Sequence, residues 1–410
     1  MTTLHPVATV PASARPLQVV VAPSGFKESL SAEAVARATA EGVRRVYPDA
    51  RVRTVPLVDG GEGTAEALAA ATGGHLVPVV VTGPVGEPVP SHFAILGDGE
   101  TAVVEMAAAA GLRLVPFERR NPLRTTTRGV GELIRAALDA GIRRVLVGCG
   151  DSGTSDGGAG ALRALGARLL DAEGALIADG ARGLRRLDRI DVSGLDPRLA
   201  DTEIRVACNP TNVLCGPRGV ARVFGPQKGA TPRQVEKLSR ALDRWARVLG
   251  RDVPGASDID LRAGLGTGAS GGLGAGLAAV GAQLIPRFEV LLDGIDFGGV
   301  DLDGALAAAD LVITAEGSID AQTPNGKVPA EVARRAKLRG TPVLALAGTI
   351  GAGSEHALGA GIDAIHCVLP SPLTLAEACV RGEELVADGT ERALRMLLLG
   401  ASLPVAARPA

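Results

Sequence analysis

The sequence predicts an α/β protein of two domains: a Rossmann-like parallel-sheet domain formed by both chain ends, with a second, mixed α/β domain inserted. Three observations carry this. Near both ends, short and uniformly apolar runs alternate with longer helical patterns, as when helices cover both faces of a parallel sheet. In the middle, three apolar runs follow one another without a helix, which implies antiparallel or mixed pairing. The 410 residues also exceed the roughly 100–200 of one typical domain.

Taken in order, Leu17–Ala22 reads as a strand, Ser31–Tyr47 as a helix, Arg53–Leu57 as a strand and Glu62–Ala71 as a helix. The consecutive runs are Leu76–Thr82, Val89–Leu96 and Thr101–Met106. A helix over Gly131–Ala140, a strand at Val145–Gly148, a helix from about Gly158, a strand at Ile204–Ala207 and a long helix over Pro232–Leu249 follow. Leu311–Thr314, Val343–Ala347 and Ala364–Leu369 return to the alternating pattern, with a helix over Val328–Leu338. The expected division is residues 1–72 and 292–410 against 73–291.

Composition narrows the function classes. Aromatic residues are 2% and hydrophobic residues 46%, so Ala, Val, Leu and Ile must form the core. The net charge is −2, without a basic block or interleaved aromatics, which speaks against a nucleic-acid groove. Five scattered cysteines without a CxxC pair suit free thiols in a reducing compartment. Met1–Pro16 lacks the basic and apolar regions of a secretory signal, so a cytoplasmic location is expected. Ala263–Pro286 carries no charge, yet its many glycines suit a loop and a buried helix better than a membrane span.

Polar residues concentrate where strands end, which is where open α/β sheets bind ligands. Ala22–Ser31 (APSGFKESLS) puts Lys27 between the first strand and a helix, where it can meet a phosphate or carboxylate. Val58–Thr64 (VDGGEGT) places Asp59 and Glu62 three residues apart among bare backbone, a pattern suited to Mg²⁺ or a substrate hydroxyl, or simply to a capping turn. Gly148–Gly158 (GCGDSGTSDGG) offers Ser152, Thr154 and Asp156 beside backbone N–H groups that can cradle phosphates. Asn209 and Lys228 lie in the loops NPTNVLCG and FGPQKGA. Glu316, Asp320 and Lys327 crowd TAEGSIDAQTPNGK, a density of polar groups hard to explain as packing. A P-loop is excluded, because Ala321 stands where the first glycine before Gly326-Lys327 should be. Gly266–Gly271 fits GxGxxG, but no convincing strand precedes it.

These segments resemble the class I glycerate kinases, in the same order from about residue 18 to 400. APSGFKESLS, DGGEGT, GDSGTSDGGAG, NPTNVLCG, FGPQKGAT and TAEGSIDAQTPNGKVP stand where that family has APDS-aromatic-K-ESLS, DGGEGT, GGSATNDGGAG, DVxNPLxG, FGPQKGAT and TGEGRIDxQTxxGKxP. The resemblance implies two α/β domains with the site in the cleft between them. It implies ATP- and Mg²⁺-dependent phosphorylation of D-glycerate, usually to 2-phosphoglycerate, with a small molecule as the only partner class expected; a homodimer is left open. The departures fall inside the motifs: Ser24, Ser155 and Ser318 replace Asp, Asn and Arg, Asp151 replaces Gly, and Asn209 takes the place of the DVxNP carboxylate.

Phosphoryl transfer needs cations at the phosphates, carboxylates for metal and proton, and a seat for the acid's carboxylate. The expected catalytic residues are Lys27, Asp59, Asp156 and Asp320, with Asp59 and Asp156 as Mg²⁺ ligands and either of them as base. Expected to bind substrate or phosphate are Glu62, Ser152, Thr154, Asn209, Lys228, Gly268, Ser270, Gly271, Glu316 and Lys327. The rival readings are a kinase of another small hydroxy acid or polyol, an NAD-dependent oxidoreductase using Gly266–Gly271, and a binding protein without activity.

Overall fold

The protein is described here by a computed structural model covering residues 15–26, 29–292 and 301–403. In chain order the strands are β1 (Gln18–Val21), β2 (Arg51–Thr54), β3 (His75–Thr82), β4 (Pro88–Ile95), β5 (Thr101–Glu105), β6 (Arg144–Gly148), β7 (Arg168–Leu170), β8 (Arg189–Asp191), β9 (Glu203–Cys208), β10 (Gln283–Pro286), β11 (Leu311–Ile319), β12 (Val343–Ile350) and β13 (Ala364–Cys367). The chain separates into two compact units, residues 1–58 with 300–410, and residues 59–299.

The first unit holds a parallel sheet in the order β13-β12-β11-β1-β2. Val19 and Val21 of β1, Ile313 of β11 and Leu344 and Leu346 of β12 are buried in its core. Against them pack Val35 and Val43 from helix Ala32–Val46, and Val386 and Leu394 from helix Gly382–Ser402. Ser31 starts the former helix by accepting a hydrogen bond from Ala34 N–H. From β1 the chain moves outward to β2, and from β11 outward the other way to β12. The ends of β1 and β11 therefore flank the topological switch point of this sheet.

The second unit contains a mixed sheet in the order β10-β9-β6-β5-β4-β3. Its β3–β4–β5 portion is antiparallel, as the uninterrupted succession of apolar runs implies, and the rest is parallel. Helix Thr64–Thr72 packs on β3, β4 and β5, so residues just before the expected boundary at 73 are built into this unit. The lone tryptophan, Trp245, is fully buried on helix Pro232–Asp252, and its indole N–H donates to Gly157 O at 2.9 Å.

Several expectations are corrected. The second strand is Arg51–Thr54, nearer the N-terminus than Arg53–Leu57. The charge-free stretch holds helix Ala269–Ala278, but ends in β10. The antiparallel pair β7–β8 was not expected at all. β11 runs on to Ile319, so Glu316 sits within a strand and pairs in register with Ala347 of β12. No described helix is long and apolar enough to cross a membrane.

Candidate functional site

In the first unit, the chain leaving β1 meets the chain leaving β11 at the switch point. Ser24 N–H and Ser24 Oγ both bond to Ala315 O, at 2.9 and 3.0 Å, which fixes the β1 exit beside Glu316. Lys327 Nζ lies 3.4 Å from Glu316 Oε1 and 3.4 Å from Asp320 Oδ1, and donates to Ser318 O at 3.3 Å. Thr323 Oγ1 accepts from Asp320 N–H and closes the turn. The structure thus brings the expected Glu316, Asp320 and Lys327 together. Lys27, expected on the same edge, lies outside the described residues.

In the second unit, β6 and β9 end at two polar loops. Lys228 is buried, although lysine rarely is, and Nζ donates to Ser152 Oγ at 2.8 Å and Thr154 O at 2.5 Å. Burial pulls its pKa down to about 7 from 10.5, against an opposing pull from the nearby Asp156 carboxylate. The folded value lies below the unfolded one, so between about pH 7 and 10.5 the unfolded chain binds more protons and this group makes stability rise with pH. Lys228→Met is expected to flatten that rise, read as the pH dependence of the urea midpoint.

The turn Ser270–Gly272 packs against this loop. All three residues take the left-handed backbone conformation, with φ of 51°, 70° and 96°, and Ser270 does so without the freedom of glycine. A Cβ on Gly271 would stand 2.1 Å from Thr154 O and 2.7 Å from Ser155 Cα, so only glycine permits the approach. Where the segments meet, the hydroxyls of Thr154, Ser155 and Ser270 are buried without a hydrogen-bond partner. Polar groups removed from water are ordinarily satisfied. Three partnerless hydroxyls near the buried Lys228 amine are polar groups that an anionic ligand would satisfy. Gly268 leads into this turn and packs closely on Val213, and regular helix resumes after Gly272. Loop precedes it, not a strand, so the dinucleotide fingerprint at Gly266–Gly271 lacks the βα context it requires.

Asp156, expected as a base or Mg²⁺ ligand, lies in the interior at the start of two helices. It is fully buried, and its carboxylate accepts from Thr127 N–H at 2.9 Å, Thr127 Oγ1 at 3.0 Å, Gly158 N–H at 3.1 Å and Gly160 N–H at 3.1 Å. Burial raises its pKa while these donors hold it back. With its lone pairs so engaged, it clamps the starts of helices Arg128–Asp139 and Ala159–Ala164.

Asp59 stands differently. Its side chain keeps about a third of its surface exposed. Oδ1 accepts from Gly61 N–H at 3.0 Å, and Arg287 Nη1 lies 3.4 Å from Oδ2 and 3.1 Å from Asp59 O. Asp151, whose φ is +52°, accepts from Glu62 N–H at 3.2 Å. A Cβ on Gly61 would stand 2.5 Å from Asp151 Oδ2 and 2.9 Å from Asp59 Oδ1. The bare backbone of Gly61 therefore lets two carboxylates converge, and this hard-oxygen pair suits Mg²⁺. Glu62 turns outward to an exposed ion pair with Arg113 at 3.1 Å. Sequence reasoning did not assign Asp151 and Arg287 to the site; the replacement of Gly by Asp151 was the signal for the first, and Arg287 carried none.

Asn209 makes a local turn after β9. Its Oδ1 accepts from Thr211 N–H at 3.1 Å and Thr211 Oγ1 at 2.8 Å. An aspartate supplies the same acceptor. Asn209→Asp is therefore expected to change kcat by less than about tenfold, well short of the effect of moving a general base.

A model of the glycerate kinase family matches residues 19–398. The glycerate kinase of Bacillus subtilis (strain 168) is 47% identical over 363 residues, covering 88% of this chain and 93% of the relative. The glycerate 2-kinase of Escherichia coli (strain K12) is 47% identical over 367 residues, with the same coverage of 88% and 93%. A solved structure from Salmonella typhimurium LT2 is 46% identical, covers 95% of this chain and all of its own, and superposes with a TM-score of 0.74. The strand order, the motif strings and these likenesses agree: the chain belongs to the glycerate kinase family.

Proposed function

We propose that this protein transfers the γ-phosphoryl group of ATP to D-glycerate in the cytoplasm, giving 2-phosphoglycerate. The observation that carries the reading is the buried Lys228 amine against Ser152 and Thr154, with the hydroxyls of Thr154, Ser155 and Ser270 buried without partners. The N–H groups of the Ser270–Gly272 turn would hold the acid's carboxylate. Asp59 would take the proton of the attacking hydroxyl, with Arg287 keeping its carboxylate in place. In the first unit, Lys327 between Glu316 and Asp320 would supply phosphate-binding charge, and Lys27 is expected from the sequence to add to it. Asp151 beside Asp59 would hold Mg²⁺. When bound, that ion neutralises charge on the phosphates.

Incubation with ATP, D-glycerate and Mg²⁺, followed by ³¹P and ¹H NMR of the product, tests activity, substrate and phosphorylation position together. A 3-phosphate product would overturn the regiochemistry, and turnover of another hydroxy acid in preference to glycerate would overturn the substrate. That second reading is favoured by Ser24, Ser318 and Asn209, which depart from the family strings at the expected site. Excess EDTA is expected to abolish turnover and Mg²⁺ or Mn²⁺ to restore it, as a coupled ADP-release assay would record.

A further inference from the structure

Outside the segments assigned to phosphoryl transfer, Glu66, His92 and Glu105 of the second unit meet in one place. Glu66 lies in the first turn of helix Thr64–Thr72, His92 on β4, and Glu105 at the end of β5. One ligand atom from each lies within 4.8 Å of the other two. We propose that these three side chains form a binding site for a zinc ion, independent of the Mg²⁺ used in phosphoryl transfer.

Charge is the first reason. Glu105 is 1% exposed, and neither it nor Glu66 pairs with a lysine or arginine among the described residues. Burying a carboxylate beside a second one is costly without a cation, and the usual escape is protonation. Burial, with repulsion from Glu66, pushes Glu105 up to about 8, while the Glu66 carboxylate raises the His92 pKa.

Geometry is the second reason. His92 Nε2 is screened from solvent and 3.0 Å from Glu66 Oε1, yet it makes no well-aligned hydrogen bond. Glu105 is held from behind, where its Oε1 accepts from Ala65 N–H at 2.5 Å. Such outer hydrogen bonds orient metal-binding carboxylates. Tetrahedral zinc, with ligands at about 2.0–2.2 Å, needs donor atoms about 3.4 Å apart, a small contraction of this cluster. One imidazole and two carboxylates suit zinc, whereas Mg²⁺ favours oxygen ligands and water. The ion would tie β4 and β5 to the helix that directly follows the Asp59–Gly63 loop.

The test is titration of the chelator-stripped full chain with Zn²⁺ by calorimetry near pH 7, in two buffers of different ionisation enthalpy, with excess Mg²⁺ present. The expected result is one zinc per chain bound, and a rise in melting temperature. His92→Asn and Glu66→Gln should each weaken binding at least tenfold. Both residues are only partly buried, so these variants keep the fold. Glu105→Gln retains the acceptor for Ala65 and should act likewise. No zinc binding by the wild type, or unchanged affinity in the variants, would overturn the site.

Discussion

Asp59→Asn is expected to lower kcat with ATP and D-glycerate by on the order of 10²–10⁴-fold, the usual worth of a positioned general base. The substitution is nearly isosteric. Asn retains an oxygen for Gly61 N–H, so the turn survives, and it loses the charge pair with the mostly buried Arg287 at 3.4 Å. Leaving the mostly buried Arg287 without its carboxylate should lower the melting temperature somewhat, so turnover is compared at a temperature where both proteins are folded. What disappears is the ability to accept the hydroxyl proton. A folded Asp59→Asn enzyme turning over within tenfold of wild type would remove Asp59 from that role. Asp151→Asn makes the comparison informative: loss of a metal donor is expected to be compensated in part by raised Mg²⁺, whereas loss of a base is not.

The fold was legible where apolar runs were uninterrupted. Val19, Val20 and Val21 of β1 and Val343–Ala347 of β12 are buried on both faces, and their sequences say so. β7 and β8 were not legible. Each is three residues long and begins with arginine, and their pairing is set by tertiary contacts instead of local pattern. β10 was hidden because it ends a charge-free stretch whose preceding residues are helical. At the site, the acids and the lysine after β11 declared themselves by their density. Lys228 was expected at the phosphates, but nothing in Pro-Gln-Lys-Gly reveals that its amine is buried against Ser152 and Thr154. Arg287 reaches Asp59 across 228 positions of sequence, a separation at which no local pattern can report a contact.

Asp156→Ala should destabilise the protein by about 3 kcal/mol or more, because it leaves several buried donors without an acceptor at about 1–3 kcal/mol each. Thr127 N–H, Gly158 N–H and Gly160 N–H all bond to this carboxylate, and Thr127 Oγ1 joins them. Asp156→Asn should fall between, since one amide oxygen still accepts while the NH₂ group is turned toward donors. The sequence motif made Asp156 look chemical, yet the Gly-Gly-Ala-Gly that follows it is equally the signature of a carboxylate gathering backbone N–H groups at a helix start. The two roles give opposite results in the folded fraction. A clamp predicts that urea denaturation of Asp156→Asn shows a lowered midpoint, while the Mg²⁺ concentration for half-maximal activity stays within about threefold of wild type. A metal ligand predicts an unchanged midpoint and a Mg²⁺ requirement raised tenfold or more, roughly the loss that removing metal-site partners produces. That second pattern would return Asp156 to the metal site and would require the carboxylate to leave its four donors during turnover.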